Sequence, residues 1–225
     1  MEKAIVLLSG GLDSCVAASI AIKEYDPYFL HINYKQRTDK KELQSFNNIA
    51  EYYGCKNRLV IDLDYFQKIG GSSLTDMQIE VGQGSVDKKT LPNTYVPFRN
   101  ANMLSIAVSW GEVINAKKIF IGAVEEDSSG YPDCRQEFYD KFNELLKVGI
   151  SSNCKLQIET PLINYRKSEI VKLAIILDAP IHLTWSCYKN EDKACGECDS
   201  CLLRLRGFEE AGFSDPIEYE DGKLV

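Results

Sequence analysis

Two groups of residues in this sequence have types and spacings that could do chemistry: a serine- and glycine-rich loop near the N-terminus and four clustered cysteines near the C-terminus. The loop, residues 9–14, reads SGGLDS and directly follows the apolar run KAIVLL. Backbone N–H groups of the two glycines can approach an anion closely, and a helix that starts there adds partial positive charge. Serine hydroxyls can donate to phosphate oxygens, and Asp13 can accept from free N–H groups or hold Mg²⁺. The loop therefore predicts a phosphate-binding site.

This loop is neither of the two common nucleotide-binding motifs, because both G-x-x-x-x-G-K-[ST] and G-x-G-x-x-G are missing from it. A tight strand-to-helix turn, with glycines required only for backbone geometry, is the alternative interpretation. The flanking Ser9 and Ser14, the internal Asp13, the apolar strand before and the helix after favour the phosphate site.

The cysteine cluster has the spacing C-x7-C-x2-C-x2-C, formed by Cys187, Cys195, Cys198 and Cys201. Four thiolates at such separations can complete a closed tetrahedral Zn²⁺ shell, which leaves no position for catalysis and indicates a structural role for residues 187–201. An iron–sulfur cluster uses the same four donors and stays open as an alternative. A redox C-x-x-C would follow a strand in a thioredoxin-like unit, which this pair does not. Four cysteines without any metal are the remaining interpretation.

Apolar segments and helical periods alternate along most of the chain, which predicts an α/β protein with an open parallel sheet and helices on both faces. Strands are predicted at residues 3–8, 27–33, 58–63, 118–123 and 156–159, and helices at 13–23, 40–53, 100–115, 134–148, 168–177 and 199–211. Residues 66–97, rich in glycine, are predicted to form a long loop or lid. The pattern changes near residue 183, so we expect an α/β domain at 1–182 and a metal-binding segment at 183–225 packed on it.

Three polar segments, at residues 34–37, 96–100 and 126–135, follow or face predicted strand ends and should converge on the crevice of the glycine loop. Arginines there could bind phosphate or carboxylate, and Asp127 could bind Mg²⁺ or the N–H edge of a base. Solvated loop charges are the alternative for each. The pocket candidates are Arg99, Tyr131, Asp133, Arg135 and Lys167, with Arg37 as a further anion ligand.

Composition excludes several classes of protein. The 225 residues are 44% hydrophobic and 26% charged, with a net charge of −7, which is ordinary for a globular chain and excludes disorder and coiled coils. No apolar run is long enough for a membrane span, so we expect a soluble, cytoplasmic protein. The acidic balance argues against nucleic acid as a partner. With only His31 and His182, a Ser-His-Asp triad is disfavoured, and neither is expected to be catalytic.

The string S-G-G-x-D-S at the end of a first strand resembles the pyrophosphate loop of the N-type ATP pyrophosphatases, the PP-loop superfamily. The resemblance implies an adenine nucleotide alpha-hydrolase-like, Rossmann-like fold. It also implies that the loop grips the β- and γ-phosphates of ATP while a substrate is adenylated at the α-phosphate. The nucleotide-contacting stretch of that superfamily corresponds here to Leu8, Ser9, Gly10, Gly11, Leu12, Asp13, Ser14, Cys15, Val16, Ala17 and Ala18.

Six segments, taken in order, resemble the 7-cyano-7-deazaguanine synthase family of queuosine precursor biosynthesis. They are SGGLDS, YKQR, RN at 99–100, SGYPDCR, ETPLINYRKSEI and LTWSCY…CGECDSCLLR. The resemblance implies a C–N ligase that takes 7-carboxy-7-deazaguanine, ammonia and ATP with Mg²⁺, and one structural zinc per chain. It implies no nucleic acid or membrane partner and leaves a homodimer open. One departure is Phe98, where that family usually has glycine, and this residue could reshape a wall of the pocket.

Three other functions remain open from the sequence. A tRNA thiolase of the same superfamily would share the loop, but it should also carry a basic RNA-binding surface. Another PP-loop synthetase could amidate a different carboxylate. A non-enzymatic, zinc-stapled interaction module could simply retain the glycine loop.

Overall fold

In the computed structural model, which describes residues 1–82, 91–125 and 130–220, five strands form one parallel sheet. They are β1 (Glu2–Leu7), β2 (Tyr25–Asn33), β3 (Arg58–Asp62), β4 (Lys118–Ile121) and β5 (Gln157–Glu159). Their spatial order is β3-β2-β1-β4-β5, with every adjacent pair parallel. The order reverses at β1, so the crevice beyond its carboxyl end is the expected ligand site in such a sheet.

Seven α-helices connect and cover the strands in the described residues. They are α1 (Leu12–Ala21), α2 (Asp39–Tyr52), α3 (Tyr65–Ile69), α4 (Arg99–Ile114), α5 (Gln136–Gly149), α6 (Lys167–Ile176) and α7 (Asp199–Ala211). The predicted fold class is confirmed, and six of these helices correspond to the predicted ones. No helix in these described ranges is long and apolar enough to cross a membrane.

The sheet has a separate apolar core on each face, as the alternation of side chains along a strand requires. Ala4, Val6 and Leu8 of the first strand region belong to the core formed with α1, α2 and α6, whereas Ile5 and Leu7 belong to the core formed with α4 and α5. The continuous apolar run KAIVLL is therefore explained by burial on both faces. His31, which was not expected to be catalytic, is buried against the Phe46 ring.

Two local predictions differ from the structure. The helix expected from residue 134 begins at Gln136, because Pro132–Cys134 forms a separate 3-10 turn and Arg135 is extended. The short helix α3 was not predicted from the sequence. It has five residues, too few for a helical period to emerge from the apolar pattern.

The segment expected to be a lid is partly a packed part of the fold. Residues 72–75 are buried, and Arg37 donates to the carbonyl oxygens of Ser73, Asp76 and Ile79 at 2.7, 3.2 and 2.7 Å. The guanidinium of Arg37 therefore holds this loop, which corrects its prediction as an anion ligand. Residues 83–90 of the expected lid lie outside the described residues.

The C-terminal residues close the structure back onto the N-terminal loop. The backbone N–H of Trp185 donates to the carbonyl oxygen of Gly10 at 2.9 Å. Helix α7 packs on α6 so closely that a Cβ on Gly207 would stand 2.3 Å from Cγ of Lys167. The division into units at 1–182 and 183–225 stays a prediction, but these contacts show that the later residues build part of the wall around the loop.

Candidate functional site

The glycine loop is held in a conformation that its sequence makes possible. Gly10 has φ +93°, and a Cβ there would stand 2.6 Å from the carbonyl oxygen of Glu42. The hydroxyls of Ser9 and Ser14 lie 3.0 Å apart, and the Gly11 N–H donates to Ser9 Oγ at 3.2 Å. Positive φ and close packing both exclude a larger side chain, so Gly10 is required for geometry as well as for access by an anion.

The other side of the loop is packed against β4. A Cβ on Gly122 would stand 2.6 Å from the carbonyl carbon of Asp13 and 2.7 Å from the backbone nitrogen of Ser14. Because these contacts are with backbone atoms, a substituent on Gly122 would displace the start of α1 itself. The N-terminus of α1 is thus fixed at the carboxyl edge of the sheet, where its partial positive charge faces the cleft.

A cleft with a cavity volume of about 290 Å³ lies over this edge. Six of the eleven predicted nucleotide-contacting residues line it: Leu8, Ser9, Gly11, Leu12, Asp13 and Ser14. The other five do not, namely Gly10, Cys15, Val16, Ala17 and Ala18. The last four are completely buried, because α1 is surrounded by the core on nearly all sides at these positions.

Lys167 reaches the loop from the first turn of α6. Its Nζ donates to both carboxylate oxygens of Asp13 at 2.7 Å, and both side chains line the cleft. The Lys167 side chain is only 12% exposed, since its stem is held beneath Gly207. The structure therefore brings this predicted pocket residue to the phosphate loop, where a cation and a carboxylate face the cleft together.

Two further predicted residues, Arg99 and Tyr131, also line the cleft. Arg99 donates to the hydroxyl of Tyr34 at 2.9 Å and lies 5.2 Å from the centre of its ring. The Tyr131 hydroxyl is within 2.8 Å of Thr94 Oγ1. Burial opposes the charge of Arg99, but the oxygens of Tyr34 and Tyr131 raise its pKa above the usual value. Arg99 is therefore a fixed cation against an aromatic ring in the cleft wall.

The remaining predicted pocket residues are not among those lining the cleft. The Asp133 carboxylate accepts from the backbone N–H of Asn100 at 3.0 Å, so it orders the start of α4. Arg135 is exposed beyond the 3-10 turn, which directs the chain away from the crevice. Phe98, 62% exposed, adopts φ +57° and packs edge-on against Phe138 rather than forming a wall of the cleft. Asp127 lies outside the described residues.

Several cleft residues were missed by the sequence analysis, chiefly Glu42, Trp185, Tyr188 and Arg204. Glu42 lies on the first turn of α2 and accepts from Gln36 Nε2 and Thr38 Oγ1, both at 2.9 Å. Burial raises the pKa of the Glu42 carboxyl to about 7, although these two hydrogen bonds act in the opposite direction. Its hydrogen-bond donor Gln36 lies in the YKQR segment, and this polar segment was the only sequence pattern that pointed to the surroundings of Glu42.

Arg204 connects the cleft with the C-terminal segment. Its Nε and Nη2 donate to the two Asp215 oxygens at 2.7 and 2.9 Å, and its Nη1 donates to Thr184 Oγ1 at 2.8 Å. The Arg204 and Asp215 side chains are 2% and 4% exposed. The Tyr219 hydroxyl donates to the same carboxylate at 2.8 Å. A buried ion pair thus ties α7 to residues on both of its sides.

The four clustered cysteines converge as predicted. Their Sγ atoms all lie within 4.8 Å of one another, and all four side chains are buried. Backbone N–H groups of Asn190 and Cys195 point to Sγ of Cys187 at 3.3 and 3.4 Å, and that of Cys198 points to Sγ of Cys195 at 3.4 Å. Such N–H donors stabilise thiolates. The donor set and its convergence fit one metal ion with a closed shell of sulfur ligands.

The fold is the one expected from the SGGLDS loop. A doubly wound parallel sheet carries this string just after its first strand, as the resemblance to the PP-loop superfamily predicts. A solved structure titled as a predicted subunit of tRNA methyltransferase, from Methanocaldococcus jannaschii, has a TM-score of 0.50 and 16% identity, covering 100% of this chain and 95% of that chain. At that identity the likeness shows the fold alone.

Sequence comparison gives the family. Residues 3–212 match the family described as Queuosine biosynthesis protein QueC. A protein from Chlorobaculum parvum is 54% identical over 219 residues, covering 97% of this chain and 96% of its own. One from Chlorobium phaeobacteroides is 55% identical over 219 residues, covering 97% of each. Both are named 7-cyano-7-deazaguanine synthase. The chain belongs to the QueC family.

Proposed function

We propose that this chain is an ATP-dependent ligase that converts 7-carboxy-7-deazaguanine and ammonia into 7-cyano-7-deazaguanine, a precursor of queuosine. The observation that carries the proposal is the near-full-length similarity to proteins named for that product. The cleft supports it, because it is lined by the glycine loop and by a half-buried arginine next to tyrosines, which suit ATP and a planar carboxylic acid. We place the reaction in the cytoplasm, where ATP is supplied and thiolates stay reduced.

The chemistry follows from the leaving groups. A carboxylate is a poor electrophile, so its oxygen first attacks the α-phosphate of ATP, giving an acyl adenylate and pyrophosphate. Ammonia displaces AMP and leaves an amide. A second ATP adenylates the amide oxygen, and loss of AMP and of the nitrogen-bound protons gives the nitrile. Each adenylation needs stabilisation of the departing pyrophosphate rather than a strong nucleophile on the protein.

The proposed roles of residues follow their positions along the cleft. Ser9, Gly11 and Ser14 would bind the pyrophosphate, with Lys167 beside them. Asp13 would hold Mg²⁺, which spreads negative charge on the phosphates when it is bound. Arg99 would bind the substrate carboxylate and Tyr131 would face the heterocycle.

The expected result of an assay with 7-carboxy-7-deazaguanine, ammonium, ATP and Mg²⁺ is a nitrile product with two pyrophosphates released per nitrile. Mass spectrometry detects the nitrile and the amide intermediate, and a coupled assay measures pyrophosphate. The matched control omits ammonium, which should leave the acyl adenylate without amide or nitrile. Absence of both nitrile and pyrophosphate release with this acid would contradict the proposed function.

We propose zinc as the metal of the cysteine centre, because a closed shell of four thiolates suits a structural Zn²⁺ that orders residues 187–201. The purified chain should contain about one zinc per chain and lack the visible absorption of an iron–sulfur cluster. Cys198→Ser should lose most of the metal and Cys154→Ser should retain it, since Cys154 lies outside the cluster. Metal analysis measures both, and iron with acid-labile sulfide would contradict zinc.

A further inference from the structure

Glu42 has an unusual place for an acidic side chain in a cleft that binds anions. Its backbone packs on the glycine loop, because a Cβ on Gly10 would stand 2.6 Å from its carbonyl oxygen, and its side chain lines the cleft. A carboxylate there repels phosphates and a substrate carboxylate. Such a group is therefore expected to have a cationic or proton-donating partner during the reaction.

Two acidic side chains line the cleft in the described part of the chain, and they differ in their partners. Asp13 is bound by the ammonium group of Lys167, which neutralises it. Glu42 is held by the neutral amide of Gln36 and the hydroxyl of Thr38, which fix the carboxylate without cancelling its charge. Each carboxylate oxygen has a second acceptor position, so a further donor can bind.

The charged and titratable groups around Glu42 come from three elements. Arg99 at the start of α4 stabilises the carboxylate, whereas Asp39 on its own helix destabilises it. Tyr34, which follows β2, has its pKa raised to about 12, chiefly by burial, and stays a neutral phenol near pH 7. Because burial also raises the pKa of the Glu42 carboxyl to about 7, this group can both accept and release a proton near neutral pH.

Ammonia is the substrate for which such a group is needed. Near neutral pH ammonia in water is mostly ammonium, which has no lone pair and cannot attack a carbonyl carbon. We propose that the Glu42 carboxylate binds ammonium in the cleft and removes one proton from it as the general base for amide formation. This inference rests on the proposed function, since it supplies the nucleophile for the acyl adenylate.

The step balances as follows. One N–H bond of ammonium breaks and its proton passes to a Glu42 oxygen, which leaves neutral ammonia. The nitrogen lone pair forms the C–N bond to the acyl carbon, and the C–O bond to AMP breaks with its electron pair on AMP. The attached nitrogen then loses a second proton to solvent, giving the amide. Glu42 returns its proton to solvent before the next turnover.

The test compares two nucleophiles in Glu42→Gln. This variant keeps the size of the side chain and an oxygen that can accept a hydrogen bond, but it cannot take a proton at neutral pH. Its kcat/KM for ammonium at neutral pH should fall by about 10²- to 10⁴-fold. Hydroxylamine is largely unprotonated at that pH, so hydroxamate formation from the acyl adenylate should stay near the wild-type rate. The ammonium defect should narrow as the pH rises and free ammonia accumulates.

Controls separate this role from folding and from adenylation. Glu51→Gln removes a carboxylate from the same helix, at an exposed position 3.9 Å from Arg58, and should behave as wild type. ATP–pyrophosphate exchange with the acid, without ammonium, should persist in Glu42→Gln. If Glu42→Gln alone lost both exchange and hydroxamate formation, Glu42 would be assigned to substrate binding and the inference would be overturned. Normal use of ammonium by Glu42→Gln would also overturn the inference. Absence of exchange in the wild type would instead overturn the proposed function.

Discussion

Lys167→Met is expected to lower kcat/KM for ATP by about 10²- to 10³-fold, because it removes a donor fixed beside the departing pyrophosphate. Methionine preserves the aliphatic stem that packs beneath Gly207, so the contact between α6 and α7 should be kept. What is lost is the charge that Nζ presents at 2.7 Å to both Asp13 oxygens. Without it, the Asp13 carboxylate loses the ammonium group that neutralises it in the structure. ATP–pyrophosphate exchange measures this step directly.

Lys172→Met provides the matched control for this prediction. Lys172 lies on the same helix but is exposed, so its loss changes the net charge equally without changing the cleft. If Lys167→Met retained exchange close to that of Lys172→Met, the placement of Lys167 at the phosphates would be wrong. A defect in thermal unfolding without a defect in exchange would indicate that the lysine acts only through packing.

Asp215→Ala is expected to destabilise the protein by about 3–5 kcal/mol, because it leaves the buried Arg204 guanidinium without a carboxylate. Thr184 and Ser186 would still accept hydrogen bonds from Arg204, but neither carries charge. The Tyr219 hydroxyl would lose its acceptor as well. Equilibrium urea unfolding measures the change in free energy of unfolding.

The exposed pair of Arg206 and Glu210 on the same helix provides the comparison. These side chains are 37% and 52% exposed and 3.7 Å apart, so Glu210→Ala should change the free energy of unfolding by less than about 1 kcal/mol. The double replacement Arg204→Met with Asp215→Leu should recover much of the loss, since it removes both buried charges together. An Asp215→Ala variant as stable as Glu210→Ala would show that the buried arginine is accessible to water.

The sequence predicted the fold well because local signals and tertiary structure agree in this chain. The strands β1, β2 and β4 contain short apolar runs between helical periods, and burial on both faces of a parallel sheet is the reason for those runs, whereas the edge strands β3 and β5 are only partly buried. The predictions of secondary structure that were wrong lie where backbone geometry or helix length hides the apolar pattern. Pro132 begins a 3-10 turn that delays α5, and α3 is too short to show a period.

Part of the candidate site was predictable: Arg99, Tyr131 and Lys167 were expected in the pocket and line the cleft. The glycine loop and the cysteines could also be predicted, because their spacing along the chain fixes their spacing in space. Glu42 could not be predicted in this way, because its place beside the cleft depends on α2 packing against the glycine loop at Gly10. Arg204 could not be predicted either, because its partners Asp215 and Thr184 come together around it only after α7 folds. Conversely, Asp133 is a residue type that can bind a ligand, but its carboxylate accepts a hydrogen bond from the backbone N–H of Asn100 in α4.

The hydrogen bond from Trp185 to Gly10 has a consequence for the order of events on the ribosome. The glycine loop is synthesised before Trp185, Tyr188 and Arg204, which line the cleft with it. A nascent chain that has completed all five strands still lacks this wall. The completed cleft therefore forms only after Arg204, in α7, has been synthesised.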